Sequence, residues 1–147
     1  MEIVIRKMEK TDEEAVIAMM RDFYSSPAVS TNGSEEIFRN DIDACTGENP
    51  YAEGYMILQE EKIAGYGMLA KSFSTEFGRS CIWIEDIYLK EEFRGKGIGG
   101  KFFDYIEKLY PEAIFRLEAS SDNEHAIALY KKQGYSVLDY TELKKIM

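Results

Sequence analysis

Between a predicted strand and a predicted helix, the chain reads Arg94-Gly95-Lys96-Gly97-Ile98-Gly99-Gly100. We call these residues, 94–100, the glycine loop. Glycine has no Cβ, so the backbone here can adopt positive φ angles and approach a ligand closely. The first amides of the following helix lack partners within the helix, and the helix dipole adds partial positive charge. The pattern indicates a phosphate site, against the simpler alternative of a glycine-rich turn with solvated lysines.

The charges around the glycine loop support the phosphate interpretation. Residues 93–103 hold three cations and no acid, in a chain whose formal net charge is −9. A Walker loop needs Gly-Lys followed by Ser or Thr, which is missing. A dinucleotide fingerprint needs its strand at the start of a βαβ unit, which fits poorly here. The loop therefore predicts a phosphate-bearing ligand of another class.

Composition narrows the class of protein. A length of 147 residues predicts a single domain over residues 1–147. The negative net charge disfavours a nucleic-acid partner, and no apolar run approaches the ~20 residues that cross a membrane. Residues 1–6 lack the pattern of a secretory signal, so we expect a cytoplasmic protein with reduced thiols at Cys45 and Cys81. One histidine and two distant cysteines predict no metal site.

Helical and strand patterns alternate along the chain, which predicts an α/β or α+β fold. The first half is predicted to hold a strand at 2–8, a helix opened by a Thr11–Glu14 capping box, a helix around Ile37–Cys45, and a hairpin of 54–59 and 62–71. A strand at 81–89, apolar on both faces, a helix ending before Pro111 and a strand at 113–119 are predicted to follow. The last elements predicted are a helix opened by a Ser121–Glu124 capping box and ended by Gly134, and one or two closing strands in 135–146.

A second motif follows the glycine loop and carries Asn123, Ala126, Leu129-Tyr130 and Gly134-Tyr135. Together the two motifs resemble the GNAT superfamily of acetyl-CoA-dependent acyltransferases. The loop signature of that family, Gln/Arg-x-x-Gly-x-Gly/Ala, is matched by Arg94, Gly97 and Gly99. The resemblance covers about residues 2–140. It implies a mixed, mostly antiparallel sheet of six to seven strands, with helices on both faces and splayed fourth and fifth strands.

The resemblance also implies acetyl-CoA (coenzyme A) as the cofactor. Its pantetheine arm would lie between the splayed strands, and its pyrophosphate would bind the amides of the glycine loop. The cofactor-binding residues implied are Ile87, Tyr88, Leu89, Arg94, Gly95, Lys96, Gly97, Ile98, Gly99, Gly100, Asn123, Glu124, His125, Ala126 and Tyr130.

The chain is most similar to the branch of the family that acetylates diamines and other small amines. That branch carries an acidic pair in its fourth strand, which Glu85-Asp86 matches. It often carries an aromatic–acid pair for polyamines near the end of the first helix, where this chain has Ser25-Ser26-Pro27. The acceptor implied is a small amine, and a polyamine fits less well.

Glu85 is the candidate general base. A carboxylate within a doubly apolar strand is costly unless it is paired or used, and desolvation there would raise its pKa toward neutrality. The alternative is a carboxylate bonded to a neighbouring strand or basic residue. Adjacent strand residues face opposite sides, so we expect Glu85 and Asp86 to point apart. Asp86 is a further candidate for contacting the acceptor, and Trp83 either packs in the core or lines the acceptor pocket.

Tyr130 is the candidate general acid, implied by the family resemblance to protonate the departing thiolate. Its spacing from Ile127 alone favours a core aromatic. His125 lies in the first turn of a helix, where a surface role is expected. Cys81 has no adjacent activating group and is expected to be a small apolar strand residue.

The acceptor and the assembly complete the hypothesis. Residues 34–61 hold eight acids and one base, which form either a rim that attracts a cation or a solvated face. We expect an N-acetyltransferase acting on a primary amine of a small cationic acceptor by direct attack in a ternary complex. The alternatives are a protein or peptide acetyltransferase and a non-catalytic acyl-CoA-binding regulator. The family resemblance implies a homodimer.

Overall fold

The computed structural model describes residues 1–29 and 32–147, and no helix in these ranges is long and apolar enough to cross a bilayer. The described residues form strands β1 (Ile3–Lys7), β2 (Ala52–Gln59), β3 (Lys62–Ser74), β4 (Arg79–Leu89) and β5 (Ile114–Leu117), and helices α1 (Glu13–Tyr24), α2 (Glu35–Thr46), α3 (Ile98–Leu109) and α4 (Glu124–Lys132). The sheet order is β1-β2-β3-β4-β5, antiparallel except for the β4–β5 pair. The mixed, mostly antiparallel sheet is confirmed, with five strands instead of six to seven.

Helices cover both faces of the sheet, as predicted. On one face, α1 and α2 bury a cluster that includes Met20, Ile42 and Tyr66. On the other face, α3 buries Phe102 and Ile106 against β2, β3 and β4. The ring of Phe102 lies directly on Gly67 of β3, where an added Cβ would stand 2.4 Å from Phe102 Cζ. This contact sets how closely α3 approaches the sheet.

A β-bulge interrupts β4 in the middle of the predicted acidic pair. Leu69 of β3 lies opposite Ile84 and Met68 lies opposite Asp86, which leaves Glu85 without a partner. Ile84 packs in the α3 cluster, whereas Asp86 bonds a residue of α1 on the other face. Strict alternation would place both on one face. The bulge therefore reverses which residues of β4 face each side of the sheet from Asp86 onward.

The fourth and fifth strands splay apart, as predicted. Their pairing covers only Cys81–Ile84 with Ile114–Leu117, while β4 continues to Leu89. The amide of Lys90 donates to Ala64 O at 2.8 Å. Because main-chain groups of an antiparallel strand alternate in direction, those of Ile87 and Leu89 face the gap, and those of Tyr88 face β3.

Both predicted capping boxes are wrong in position. A short 3₁₀ turn at Lys10–Asp12 precedes α1, and Asp12 Oδ2 accepts from the Glu9 amide at 2.8 Å. Two hydrogen bonds from Arg6 hold the Asp12 side chain. Thr11 lies within the 3₁₀ turn and does not cap the helix. At α4 the cap is Asn123, whose side chain accepts from the Ala126 amide at 3.3 Å. Asparagine is among the strongest N-cap residues and stands next to the helix.

The predicted closing strands in 135–146 are also wrong. Gly134 ends α4 with φ 99°, as predicted, and the Tyr135 amide returns to Tyr130 O at 3.1 Å. The described residues beyond it form no helix or strand and are mostly exposed. The segment is instead attached through side chains, since the Tyr140 hydroxyl donates to Glu76 at 2.5 Å and the carboxyl group of Glu142 bonds that of Glu118.

Candidate active site

The glycine loop has the geometry of an anion site. Gly95 and Gly97 have φ angles of 74° and 80°, and α3 begins directly after Gly97. The amide of Lys101 donates to Gly97 O at 3.3 Å, so the three amides between them precede the first bond of the helix. A Cβ placed on Gly95 or Gly97 meets nothing within 4 Å. The loop therefore presents unbonded amides to open space.

Aromatic rings hold the cations of the loop in place. The Arg94 guanidinium lies 5.5 Å from the Tyr88 ring centroid, and its Nε donates to Leu89 O at 2.8 Å. Lys96 lies 5.9 Å from the Phe93 ring centroid. The Tyr88 hydroxyl in turn bonds Asp22 of α1. These contacts attach the loop to the end of β4 and to α1.

A cleft of about 730 Å³ opens between the end of α1 and the gap beside β4. It brings together five of the predicted cofactor residues, Ile87, Tyr88, Leu89, Arg94 and Asn123. Its other wall consists of residues that the sequence did not single out as cofactor ligands, including Asp22, Phe23 and Ala28. The volume lies in the range of ligand pockets, roughly 300–1,000 Å³. Its described lining includes one cation, Arg94, and three acids, Asp22, Glu91 and Asp122. Residues 95–100 of the glycine loop, Glu85 and Tyr130 are not among the lining residues, so the structure does not gather all the predicted site residues in this cleft.

The predicted cofactor residues at the start of α4 differ in how exposed their side chains are. Asn123 lines the cleft, and its side-chain oxygen is engaged in the helix cap. Glu124 and His125 are exposed, and Ala126 is half-buried. The main chain of this turn is therefore better placed than its side chains to meet a ligand in the cleft.

Asp86 is the most buried acid in the described part of the chain, with an exposed fraction of 4%. Tyr66 donates to Oδ2 at 2.8 Å and Tyr24 donates to Oδ1 at 3.0 Å. Burial raises the pKa of Asp86, and the two phenol bonds act in the opposite direction. No Lys or Arg of residues 1–29 and 32–147 pairs with this carboxylate. Two phenol hydroxyls, and no cation of the described residues, therefore hold this carboxyl group in place.

Glu85 stands on the bulge with access to solvent and bonds no described residue. Partial desolvation and the neighbouring charge of Asp86 raise its pKa above the ordinary value. Burial, Asp86 and Glu85 together raise the pKa of Asp41 on α2 to about 6. Both strand acids therefore contribute to the electrostatics of Asp41. That Glu85 and Asp86 point to opposite sides stays a prediction, because the bulge removes the regular alternation on which it was based.

The acid-rich run 34–61 does not form one rim. Glu35 pairs with Arg21 and Arg39, and Asp43 pairs with Lys10. Asp41 is half-buried, and the acids of β4 contribute to its raised pKa. The cationic site predicted from this run therefore reduces to Asp41 beside Glu85 and Asp86.

Tyr130 lies within an aromatic group on α4. Its ring centroid is 6.0 Å from that of Phe103 and 6.3 Å from that of Tyr135, both edge-to-face. Burial raises its pKa, so the phenol holds its proton firmly. Its hydroxyl bonds no side chain among the described residues, whereas the Tyr135 hydroxyl is buried and unbonded. The position suits a proton donor and a core aromatic alike.

Trp83 and Cys81 lie on the half of β4 that pairs with β5. The Arg116 guanidinium stacks over Trp83, 4.5 Å from the ring centroid. Cys81 is buried and burial raises its pKa, as expected for an apolar strand residue. Sequence reasoning missed Tyr24 and Tyr66, the partners of Asp86. The two tyrosines looked like apolar members of periodic patterns, and only the fold shows which carboxylate their hydroxyls reach.

Comparisons with known proteins agree with this arrangement. The model of the acetyltransferase (GNAT) family matches residues 15–135. Thialysine N-epsilon-acetyltransferase of Sus scrofa is 32% identical over 145 residues, which cover 90% of this chain and 83% of that protein.

Two solved structures share the fold. A possible acetyltransferase from Clostridium difficile 630 superposes with a TM-score of 0.84 at 18% identity, covering 99% of this chain and 97% of that one. A predicted acetyltransferase from Clostridium acetobutylicum, solved with acetyl-CoA, has a TM-score of 0.76 at 18% identity, covering 97% and 96%.

Proposed function

Because the chain belongs to the GNAT family of acetyltransferases, we propose that it uses acetyl-CoA to acetylate a primary amine of a small cationic acceptor in a ternary complex. One observation carries this proposal. The cleft beside α1 is lined by Ile87, Tyr88 and Leu89, on the half of β4 that β5 leaves unpaired, and by Arg94 at the start of the glycine loop. We further infer that residues 1–147 act as one catalytic domain.

The chain offers the cofactor two kinds of contact. The amides between Gly95 and Gly100, with Arg94 and Lys96, would hold the diphosphate. The main-chain groups of Ile87 and Leu89 face the gap and would bond the pantetheine amides like an added strand. Acetyl-CoA supplies the activated acetyl thioester when it is bound.

Glu85 would remove the proton from the attacking amine. An amine acceptor is protonated near neutral pH and must lose that proton before it can attack. The Glu85 carboxylate is free of protein bonds, and its pKa is raised by desolvation and by Asp86. Asp86 stays in place through Tyr24 and Tyr66 and would hold the cationic acceptor nearby.

The remaining steps need a hydrogen-bond donor and a proton donor. The Ile87 amide faces the gap and would donate to the developing negative charge on the acetyl oxygen. Tyr130 Oη would hold the proton that the leaving sulfur takes up, a role supported by its motif position and by its unbonded hydroxyl.

The charge of the site supports a small cationic acceptor. Three acids, Asp41, Glu85 and Asp86, act on one another, and no described ion pair includes any of them. The Sus scrofa relative is, by its name, an acetyltransferase for the side-chain amine of thialysine. A protein or peptide acceptor and a non-catalytic binder are the competing functions.

The test follows thiol release from acetyl-CoA with a panel of diamines, amino acids with side-chain amines, and peptides. Release with the small amines and none with the peptides supports the proposal. Release with peptides alone favours the protein acetyltransferase. If calorimetry shows that acetyl-CoA binds but no acceptor of the panel gives thiol release, the non-catalytic binder is favoured. If acetyl-CoA does not bind, the cofactor assignment is overturned.

We also propose that the protein acts in the cytoplasm as a homodimer. In the described residues, β5 pairs only with β4, so its outer edge carries unpaired main-chain groups. The segment after Gly134 exposes Val137, Leu143 and Ile146 close to the end of the chain. Light scattering of the full chain over a range of concentrations measures whether two copies associate.

A further inference from the structure

Asp22 is an acid of α1 that the proposed chemistry has not used. Its carboxylate lines the same cleft as Arg94 and accepts a hydrogen bond from the Tyr88 hydroxyl. Among residues 1–29 and 32–147, no Lys or Arg forms an ion pair with it. A negative charge beside a site proposed for phosphate repels that ligand. Asp22 therefore weakens binding there unless its carboxylate contributes something else.

The Tyr88 side chain connects Asp22 with Arg94. Tyr88 is 8% exposed, and its ring packs against Phe23 and Tyr66 at centroid distances of 5.9 and 6.0 Å. The Arg94 guanidinium lies 5.5 Å from the centroid of the Tyr88 ring. Burial and the bond to Asp22 raise the pKa of the Tyr88 hydroxyl to about 12, and the charge of Arg94 opposes that rise. One packed phenol therefore contacts both the carboxylate of α1 and the guanidinium of the glycine loop.

Arg94 is held from two directions by the protein itself. Its Nε donates to Leu89 O at 2.8 Å, and the Tyr88 ring supports the face of the guanidinium. No acid of the described residues forms an ion pair with Arg94. A guanidinium has further N–H donors at its edge, and these can bind a phosphate. Because the side chain is already oriented, it loses less conformational entropy when a ligand binds, and the affinity is higher.

We infer that Asp22 is a positioning residue for the cofactor, which holds Tyr88 through its hydroxyl and thereby holds Arg94 toward a phosphate of acetyl-CoA. This inference rests on the proposed function. In this role Asp22 touches Tyr88 and not the cofactor. Removing Asp22 should therefore weaken cofactor binding, whereas removing an acid that only repels phosphate should strengthen it. The sign of the change separates the two roles.

Single and double variants test the connection by calorimetry with acetyl-CoA. Asp22→Ala removes the acceptor of the hydrogen bond, and Tyr88→Phe removes its donor while keeping the ring. We expect the Kd to rise about three- to tenfold in each, as the loss of one hydrogen bond predicts. Asp22→Asn keeps an oxygen that can accept from Tyr88, so its Kd should lie below that of Asp22→Ala. The variant with both Asp22→Ala and Tyr88→Phe should bind no more weakly than the weaker single variant, because both changes break one connection.

A donor without phosphate groups shows whether the effect passes through Arg94. S-acetylpantetheine carries the same thioester and the same arm, but no phosphate and no nucleotide. Its kcat/KM for thiol release should be the same in wild type, Asp22→Ala and Tyr88→Phe. The kcat/KM for acetyl-CoA should fall about three- to tenfold in both variants. A general loss of packing around Tyr88 would instead lower both values alike.

The matched control is Asp122→Ala, which removes an acid of the same cleft whose side chain bonds no described residue. It should leave the Kd for acetyl-CoA unchanged or lower it. Thermal unfolding shows whether each variant is folded.

A Kd at or below the wild-type value in Asp22→Ala overturns the inference, and so do additive losses in the double variant or equal losses with both donors. Failure of the wild-type protein to bind acetyl-CoA, or to release thiol with any amine, overturns the proposed function instead. The two failures are therefore distinguishable.

Discussion

Tyr66 on β3 donates a hydrogen bond of 2.8 Å to the carboxylate of Asp86 on β4, where Asp86 is 4% exposed. Tyr24 from α1 occupies the other carboxylate oxygen. Neutral phenols thus satisfy the hydrogen-bonding needs of the acid without cancelling its charge. Burial of Asp41 on α2, together with the charges of Asp86 and Glu85, raises the pKa of Asp41 to about 6.

The raised pKa of Asp41 predicts a pH-dependent stability. A carboxyl whose folded pKa of about 6 exceeds its ordinary 3.8 binds its proton more tightly in the folded state. Its stabilising contribution is therefore complete below about pH 4 and is lost as the pH rises through 6. We expect Asp41→Asn to be more stable than wild type at pH 7.5, by roughly 1–3 kcal/mol, with little gain at pH 4.5. Urea unfolding at both values measures the difference.

The matched control for that measurement is Asp104→Asn, which changes an exposed acid on α3 that forms no described ion pair. It should leave the free energy of unfolding within about 0.5 kcal/mol of wild type at both pH values. An equal gain for Asp41→Asn at pH 4.5 and pH 7.5 would contradict the electrostatic account.

Replacing Glu85 by Gln tests the base. The amide keeps the shape and cannot accept the proton, so we expect kcat to fall by about 10²–10⁴ near neutral pH. The KM for acetyl-CoA should stay close to that of wild type, since the cofactor contacts lie elsewhere. In wild type, kcat should rise with pH through the raised pKa of Glu85, and this rise should disappear in the variant. Glu112→Gln, an exposed acid after α3, serves as the control; unchanged kcat in Glu85→Gln removes Glu85 from this role.

Two tyrosines in one aromatic group separate proton transfer from packing. Tyr130→Phe keeps the edge-to-face contact with Phe103 and loses the phenol proton, so kcat should fall by about 10-fold or more. Tyr135→Phe removes a buried hydroxyl that has no described partner. It should leave kcat unchanged and raise stability by up to about 1 kcal/mol. Steady-state kinetics and thermal unfolding measure both, and full activity in Tyr130→Phe would support a core role alone.

Two glycines with the same backbone conformation test the loop. Gly97 and Gly78 have φ angles of 80° and 65°, and a Cβ at either meets nothing within 4 Å. Alanine at each should cost about 1–2 kcal/mol of stability through the left-handed conformation. Only Gly97→Ala should weaken acetyl-CoA binding, by about tenfold, because relaxation there moves the loop amides. Calorimetry gives the Kd values; equal Kd values for the two variants would speak against a phosphate site.

Local features of the chain were predictable because their causes are local. The glycines and cations of residues 94–100 need no distant partner, and Gly134 ends its helix by the conformation it allows. The acids at 85 and 86 were likewise identified as unusual in an apolar strand. The conformation of the glycine loop and the end of α4 therefore follow largely from sequence patterns.

Pairing between distant elements was not predictable. The bulge at Glu85 arises from how Met68 and Leu69 meet β4, and neither strand shows this alone. Asp86 meets Tyr24 and Tyr66, which are 62 and 20 residues away along the chain. The capping box predicted at Thr11 does not form. Asp12 is instead bonded by Arg6, which belongs to a different element, and the local sequence does not show this pairing.

The close seat of Phe102 on Gly67 has a consequence for how this enzyme can change. The loop amides lie at the start of α3, and the absence of a side chain at Gly67 determines how closely α3 packs on the sheet. The size of this one residue therefore also determines the position of the loop amides. A methyl group introduced at Gly67 would push α3 away from the sheet, and it would thereby weaken the acetyl-CoA binding proposed for the loop. A substitution at this core position would therefore change the packing of α3 and the proposed binding of acetyl-CoA together.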